Sequence, residues 1–298
     1  RGFDVLDLTK NSNFEECCFL LLHDHLPNQI EFDEFTSKLK EARTIPEQMQ
    51  KNMRNWRKNA HPMDVLQAFV AALAGYYDEK GSEKEISQQR AINLIAKVPT
   101  IIASWERVRN NKEPIHPDPE LSHAANFLYM LSGEKPDKEM ERVFDVCLIL
   151  HADHTFNAST FAAREVASTR AHMYSAVSAA VGALSGELHG GANFEVMKML
   201  LDIKEESNVE NWVKSKIENG DRIMGMGHAV YKTVDPRSMV LKELSKKLSE
   251  KTGLPWFEIT RKVEEITADM MKSRKERDIF PNVDLYSASV YYLSLIHI

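Results

Sequence analysis

Apolar residues recur at helical spacing along most of the 298-residue chain, and the strict alternation that is typical of strands is nearly absent. In the stretch 256–271, for example, Ile259, Val263, Ile266 and Met270 follow one another at intervals of four, three and four residues. Such spacing places apolar side chains on one face of a helix and gives neighbouring helices a shared surface to bury. The pattern predicts the all-α fold class.

Two groups of predicted helices differ in composition, which indicates two domains. The stretch 160–185 is rich in Ala and Ser with few charges, so we expect its helices to pack closely in the centre of a domain. Shorter and more charged helices are predicted later, at 193–204, 238–251 and 256–271. We therefore predict a large helical domain over 1–189 and a small helical domain over 190–298, with a hinge at Gly190-Gly191.

Charge and cysteine content argue against several classes of protein. The net charge of −6 gives no general attraction to nucleic acid or to acidic membrane surfaces. No window of about 18 apolar residues could span a membrane. The cysteines Cys17, Cys18 and Cys147 are odd in number and predict neither a disulfide framework nor a metal site. We expect a protein of a reducing compartment, the cytoplasm, with no nucleic-acid or membrane partner.

His189 is the first of two glycine-flanked histidines on predicted loops. It precedes Gly190-Gly191 and a helix that begins near Ala192. The positive end of that helix dipole disfavours imidazolium, so the ring would be a neutral hydrogen-bond donor to a developing oxyanion. A core histidine or a helix cap is the alternative interpretation.

His228 is the second such histidine and follows two glycines in the sequence Gly225-Met226-Gly227-His228. Glycine lets a backbone approach a ligand closely, which favours a ligand contact in this loop. A dinucleotide-binding fingerprint is rejected, because the third glycine and the preceding strand are both missing. Taken alone, this motif is a weak signal.

Arg237 and Asp284 each stand at a predicted helix start. The guanidinium of Arg237 could form a two-pronged contact with a substrate carboxylate, and a surface salt bridge is the alternative. Asp284 follows Pro281-Asn282-Val283. Its carboxylate could take a proton from carbon if it is partly removed from water. The alternative for Asp284 is an N-cap.

His151 and His154 are three residues apart on a predicted helix face, a spacing that can hold a metal ion. No third ligand is evident in the sequence, and Asp153 would point away from that face. We therefore predict no metal, and we favour a polar ligand contact from His154.

Taken together, these motifs resemble the citrate synthase family. The matching segments are Ala60 to Leu66, His151 to Thr160, Gly186 to Asn193, Gly225 to Lys232, Asp235 to Arg237 and Pro281 to Asp284. Their order and spacing match over nearly the whole chain, which makes the set specific although each segment alone is not. The resemblance implies an all-helical homodimer of two-domain chains. It also implies condensation of acetyl-CoA with oxaloacetate and water to citrate and CoA, with no permanently bound cofactor and no metal.

The roles of family residues carry over by position. The resemblance implies that His189 stabilises the enol of acetyl-CoA and that Asp284 removes the methyl proton. It implies that His228 polarises the oxaloacetate carbonyl. His154 and Arg237 are the implied ligands of oxaloacetate and citrate.

The same resemblance implies where coenzyme A binds. The loop that contains Gly225 and Gly227 would run along the adenine. Lys232, together with Lys275 and Arg277, would meet the phosphates.

Two other interpretations of the function stay open. A 2-methylcitrate synthase would use propionyl-CoA, and one methylene is worth only about 1–3 kcal/mol in a pocket. A helical scaffold without turnover is the other alternative, although it would have no need of the intact set of candidate residues.

The family begins before a segment like Arg1–Asp4 and ends with further helices that bring arginines to the substrate. We therefore expect a chain truncated at both ends, with an incomplete large domain.

Overall fold

A computed structural model describes residues 2–186, 189–227, 233–275 and 278–295, without the side chains at 274, 275 and 295. Within these ranges the chain forms α-helices, two short 3-10 turns and one isolated bridge between Met226 and Pro281, with no sheet. The predicted all-α class is therefore confirmed. None of the described helices is both long enough and apolar enough to cross a bilayer.

The helices follow one another with short connections and divide into two compact units. In chain order they are α1 (Val5–Asn11), α2 (Phe14–His23), α3 (Gln29–Glu41), α4 (Glu47–Met53), α5 (Pro62–Ala72), α6 (Glu83–Arg109), α7 (His123–Ser132), α8 (Lys138–His151), α9 (Ala158–Ser168), α10 (Met173–Leu184), α11 (Gly191–Ile203), α12 (Val209–Glu218), α13 (Pro236–Thr252), α14 (Trp256–Lys275) and α15 (Val283–Leu295). The 3-10 turns are Leu73–Gly75 and Glu206–Asn208. The first unit is built mainly from Asn11–His189, and the second from Asp4–Lys10 and Gly190–His297.

Several helices begin at polar motifs that satisfy their free backbone donors. Asn13, Asn28 and Ser82 each accept a hydrogen bond from the N–H three residues later, where a glutamate bonds back to the N–H of the cap. This reciprocal arrangement pairs two N–H groups that the helix itself leaves unpaired. Pro62 and Pro236 occupy the first helical position of α5 and α13, where a missing N–H costs nothing.

The core of the first unit is formed around α5 and α6. Val65 and Phe69 of α5 pack with Ile101 and Trp105 of α6 and with Tyr174 of α10 in one buried cluster. Helix α6 runs for 27 residues and continues through Pro99. Because the cluster joins three helices that are distant in sequence, it fixes the position of α10 within this unit.

Helix α9 departs from the sequence prediction. We expected 160–185 to lie in the centre of a domain, and this holds for α10, where Tyr174 and Val181 are buried. It is wrong for α9, which packs against α10 and has no buried residue. Its Phe161 is 59% exposed. Small residues allow close helix packing, but the sequence does not say whether the neighbouring helix belongs to the same chain.

The second unit is organised around α15. Six consecutive residues of this helix, 285–290, are buried, as expected for a helix covered on all sides. Helices α11, α13 and α14 pack against it. The predicted apolar face of α14 is buried at Ile259 and Val263 and half-buried at Ile266 and Met270. Leu241 and Leu248 of α13 are buried as well. The start of α15, where Asp284 lies, is therefore held by a well-packed helix.

Candidate active site

The two motifs that enclose the candidate base pair with each other through their backbones. We call residues 225–227 the glycine loop and residues 280–282 the proline segment. The N–H of Gly227 donates to the carbonyl of Phe280 at 2.7 Å, and the N–H of Asn282 donates to the carbonyl of Gly225 at 3.0 Å. Met226 and Pro281 form the antiparallel bridge between them. The side-chain amide of Asn282 also donates to the carbonyl of Gly227 at 2.8 Å.

Glycine is required at position 225 for two separate reasons. Its φ of +80° lies in the left-handed region that other residues adopt at a cost. A Cβ atom at this position would lie 2.8 Å from the Cα of Leu285, which is buried backbone of α15. Gly227 shares the positive φ, at +87°, but a Cβ there would meet only ordinary contacts with Ile279. The glycine loop therefore lies directly against the first turns of α15.

Asp284 is the second residue of α15, and Asn282 supplies the helix cap. The side-chain oxygen of Asn282 accepts from the N–H of Asp284 at 2.9 Å, so the cap that was the alternative role for Asp284 is already provided. Burial raises the pKa of Asp284 to about 6; Arg237 lowers this pKa and Asp235 raises it. The carboxylate is ionised at neutral pH and can accept a proton at a small cost.

Arg237 lies in a buried ion pair, and the alternative of a surface salt bridge is wrong. Arg237 is 6% exposed and Asp235 is 1% exposed. The Nε of Arg237 donates to Oδ1 of Asp235 at 3.1 Å, and Nη2 donates to Oδ2 at 2.7 Å. Oδ1 also accepts from the backbone N–H of Arg237 at 3.0 Å and so caps α13. This two-pronged contact fixes the plane of the guanidinium.

His189 is paired with a residue that the sequence analysis did not identify. Its Nε2 lies 2.8 Å from the Oγ of Ser159, the second residue of α9. His189 is half-buried, so it is not a core histidine. The residue at the N-cap of α11 is Gly190, which makes no side-chain cap. Nothing in the sequence signals a contact between positions 159 and 189, because thirty residues and all of α10 separate them.

His151 and His154 are not on one helix face, so that prediction is wrong. Helix α8 ends at His151, whose Nδ1 donates to the carbonyl of Cys147 at 2.7 Å. His154 is half-buried in the following loop. The positive φ of Thr155, +50°, marks the turn into α9. Among the described residues, no three His, Cys, Asp or Glu side chains are arranged to hold a metal ion.

Four of the predicted site residues cannot be placed. His228, Lys232 and Arg277 lie outside the described residues, and so does the side chain of Lys275. Of the other candidates, the second unit brings Gly225, Gly227, Arg237 and Asp284 into one region around the start of α15. The first unit brings His189 to Ser159 at the start of α9.

Comparisons with known proteins agree on one family. The family model described as "Citrate synthase, C-terminal domain" matches residues 1–297. "Citrate synthase 2" of Bacillus subtilis strain 168 is 42% identical over 295 residues, which cover 98% of this chain and 77% of that protein. "Citrate/2-methylcitrate synthase" of the same strain is 38% identical over 296 residues, with coverages of 98% and 78%.

A solved structure is similar in fold and in sequence. It is the ternary complex of carboxymethyl coenzyme A and oxaloacetate with citrate synthase from Thermoplasma acidophilum. The TM-score is 0.91 at 32% identity, and the match covers 98% of this chain and 77% of that one.

The packing of the glycine loop on α15 can be tested with two matched substitutions. Gly225→Ala should lower the free energy of unfolding more than Gly220→Ala. Both glycines have a positive φ, +80° and +78°, but a Cβ at Gly220 would meet nothing within 4 Å. Backbone strain alone is worth about 1–3 kcal/mol. Denaturant titration of the two variants would measure the difference, and equal losses would show that contact with Leu285 is unimportant.

Proposed function

The chain belongs to the citrate synthase family, and we propose that it condenses acetyl-CoA with oxaloacetate and water to give citrate and coenzyme A. It is an enzyme of the acyltransferase class, in which the acyl group becomes an alkyl group on transfer. The observation that carries the proposal is Asp284, a carboxylate whose burial raises its pKa to about 6 near the Arg237 guanidinium. A base of this kind is what the weakly acidic methyl group of a thioester requires.

In the proposed mechanism, Asp284 takes the proton from the acetyl methyl group. The electron pair of the broken C–H bond moves into the new carbon–carbon double bond, and negative charge develops on the thioester oxygen. That charge needs a hydrogen-bond donor already in place, since removal of one such donor costs about 10²–10³ in rate at comparable sites. The pKa near 6 limits the cost of moving a proton from carbon to Asp284.

We assign the donor role to His189 and a positioning role to Ser159. The hydroxyl of Ser159 can donate to Nε2 of His189 across their 2.8 Å separation. The ring proton of a neutral imidazole then sits on Nδ1 and can be donated to the thioester oxygen. Nδ1–H stabilises the enol oxygen without itself supplying a full positive charge, as a neutral electrophile does in other enolising enzymes.

Oxaloacetate is the proposed second substrate, and its two carboxylates need cationic or polar side chains to bind them. The pair with Asp235 uses the Nε and Nη2 groups of Arg237, and Nη1 makes no hydrogen bond to the described residues. This second edge of the guanidinium would bind a substrate carboxylate. His154 would bind the other end. His228, which the resemblance makes the donor to the ketone oxygen, completes the set.

After attack of the enol carbon on the ketone, the citryl thioester must be hydrolysed. Water adds to the thioester carbonyl, the carbon–sulfur bond breaks and coenzyme A leaves as a thiol. Gly225 and Gly227 are proposed to approach the adenine of the coenzyme, because residues without a side chain leave room for it. Lys232, Lys275 and Arg277 are the proposed phosphate contacts.

A 2-methylcitrate synthase remains the second candidate. The observation that favours it is the 38% identity to a relative named for both citrate and 2-methylcitrate synthesis. The two reactions differ by one methylene on the acyl group, so the same base and donor would serve both. We do not propose the non-catalytic scaffold, because the relatives in this family are named as enzymes.

We propose that the enzyme is a homodimer that uses α9 as part of its interface. This helix has no buried residue. The ring centroids of its Phe161 and of Phe156 are 5.9 Å apart, and Phe156 is 55% exposed. Phe156 lies in the loop before α9. Neighbouring exposed apolar side chains such as these are typical of a surface that another subunit covers. An isologous contact would bring two copies of α9 together.

The proposed location is the cytoplasm. Cys17, Cys18 and Cys147 are all buried and free. Free thiols are the normal state in a reducing compartment.

The reaction can be tested by following release of the coenzyme A thiol with oxaloacetate. We expect release from acetyl-CoA, and the rate with propionyl-CoA decides between the two candidate functions. Asp284→Asn should lower kcat by about 10²–10⁴ and change oxaloacetate binding little, because a general base acts in the transition state. Asp269→Asn, an exposed carboxylate on α14, is the matched control. No thiol release from either substrate would reject the proposal.

The pKa of Asp284 predicts how the rate depends on pH. The base must be ionised, so kcat/KM should fall as the pH drops through about 6, approaching tenfold per pH unit below it. Initial rates between about pH 4.5 and 8 would measure this limb, with circular dichroism to show that the protein stays folded. A rate that stays constant down to pH 5 would contradict the assignment of Asp284.

The interface can be tested by placing a charge on α9. Phe161→Glu should convert the dimer into a monomer, because a carboxylate at the interface would be buried without a partner. Light scattering on a sizing column should then give the 34.1 kDa mass of one chain instead of twice that mass. Ile30→Glu, at a residue of α3 that is 72% exposed, should leave the dimer intact. A wild-type protein that is already monomeric would reject the proposed interface.

A further inference from the structure

A polar contact joins the first turn of α11 to α15, although the buried residues of α11 are all apolar. The side-chain amide of Asn193 donates to the Oγ of Ser287 at 2.6 Å. Helices α11 and α15 pack against each other within the second unit. The candidate active site described above assigns no role to either residue.

Asn193 has no local role in its own helix that would explain it. It is the third residue of α11, and the N-cap, Gly190, makes no side-chain bond. Among the described residues, the Asn193 side chain makes no hydrogen bond to the backbone of α11. Asparagine is a poor helix former, because its side chain competes for nearby backbone groups. Its presence on the face that carries the buried Val196 and Leu200 therefore indicates a requirement for the amide.

Ser287 connects this amide to the candidate base. It is fully buried and lies three residues after Asp284, on the same side of α15. Its Oγ donates a weak hydrogen bond to the carbonyl of Asp284 at 3.5 Å. A hydroxyl has one proton and two acceptor sites, so Ser287 can accept from Asn193 and donate to Asp284 at the same time. The contact between the two helices thus ends on the backbone of Asp284.

The position of the Asp284 carboxylate depends on that backbone. Within the part of the chain that the structure describes, the carboxylate itself accepts no hydrogen bond, and the printed bonds of Asp284 are those of its N–H and its carbonyl. Asn282 holds the N–H, and Ser287 contacts the carbonyl one turn later. A displacement of about 1 Å at a reacting group can cost about 10²-fold in rate.

We infer that Asn193 and Ser287 are a positioning pair for the candidate base: Asn193 fixes Ser287, and Ser287 fixes the turn of α15 that carries Asp284. The inference rests on the proposed function and deepens it, because it makes the placement of the base depend on α11 as well as on α15. Neither residue is assigned a contact with substrate, so both act through Asp284.

Helix α15 contains a second serine that serves as a matched control. The Oγ of Ser289 lies 2.7 Å from the Oγ of Ser245 on α13, and it donates to the carbonyl of Tyr286 at 3.0 Å. Ser289 and Ser245 are fully buried, as Ser287 is. Five residues turn a helix by about 140° beyond one full turn, so Ser289 lies on a different side of α15 from Asp284. Ser289→Ala therefore removes the same kind of contact away from the base.

The two serine substitutions should separate positioning from stability in the full chain. Each should lower the denaturant midpoint by a similar amount, because each leaves a polar partner unpaired. Ser287→Ala should also lower kcat for thiol release about tenfold and leave KM for oxaloacetate unchanged, whereas Ser289→Ala should leave kcat unchanged. Combining Asn193→Ala with Ser287→Ala should lower kcat no further than either change alone, since the pair acts as a unit. Equal effects of the two serine substitutions on kcat would overturn the inference.

Asn193→Asp provides a readout that a merely structural residue would not change. The substitution keeps the shape of the side chain and brings a carboxylate to Ser287, one turn from the base. Arg237 and Asp235 of α13 are the charged groups that act on Asp284 in the wild-type protein. A further negative charge disfavours the ionised base, so the acidic limb of kcat/KM should move up by about one pH unit. A lower rate with an unmoved limb would contradict the pairing of Asn193 with the turn of Asp284.

A titration without turnover distinguishes this inference from the proposed function. The side-chain carboxyl carbon of Asp284 can be followed by NMR in protein that contains isotope-labelled aspartate, and Asp284→Asn assigns its signal. We expect Asn193→Asp to raise the pKa of Asp284 and Ser289→Ala to leave this pKa unchanged. If thiol is released but neither kcat nor the pKa responds to changes at Asn193 and Ser287, the positioning pair alone fails. If no acyl-CoA releases thiol, the proposed function fails, and the titration still decides whether Asn193 acts on Asp284.

Discussion

The backbone pairing between the glycine loop and the proline segment is the contact on which the second unit's part of the site depends. Two hydrogen bonds and a side-chain amide join stretches that are more than fifty residues apart in sequence. The pairing is possible because Gly225 brings the loop against the backbone of Leu285. Since Asn282 also caps α15, the same residue fixes the loop and the helix that carries Asp284. A shift in this short pairing would move the candidate base and the glycine loop together.

Asp284, Asp235 and Arg237 form a set of three interacting charges. Asp235 and Arg237 are buried and largely neutralise each other, so Arg237 offsets only part of the desolvation that Asp284 experiences. Arg237 without Asp235 would be a buried, unpaired cation, which is costly and would favour a fully ionised Asp284 with a weaker affinity for protons. Asp235 therefore has two effects that follow from one contact. It orients the guanidinium for a substrate carboxylate, and it keeps the pKa of Asp284 high enough for proton transfer from carbon.

The sequence predicted those features that depend on local pattern. Helical periodicity was sufficient for the all-α class and for the burial of Ile259 and Val263 on α14, because burial of one face is what produces the pattern. Helix ends were harder to predict. Helix α8 ends at His151, so His151 and His154 do not share the helix face on which an unbroken helix would have placed them. Contacts between distant residues had no signal at all. The bond between Ser159 and His189, and the pairing of Asn282 with the glycine loop, depend on tertiary packing that one sequence does not encode in any local motif.

Helix α9 connects the proposed subunit interface to the proposed oxyanion donor. Its second residue, Ser159, holds Nε2 of His189, and its cap, Asn157, follows His154 in the same loop. Within one chain α9 packs against α10 and buries none of its own residues, so its outer face is left uncovered. A partner subunit that covered Phe161 would hold α9 from that face as well. In the proposed dimer, burial of an apolar face would thus fix the tautomer and direction of a catalytic histidine, since a serine hydroxyl can orient an imidazole only if its own helix is held in place.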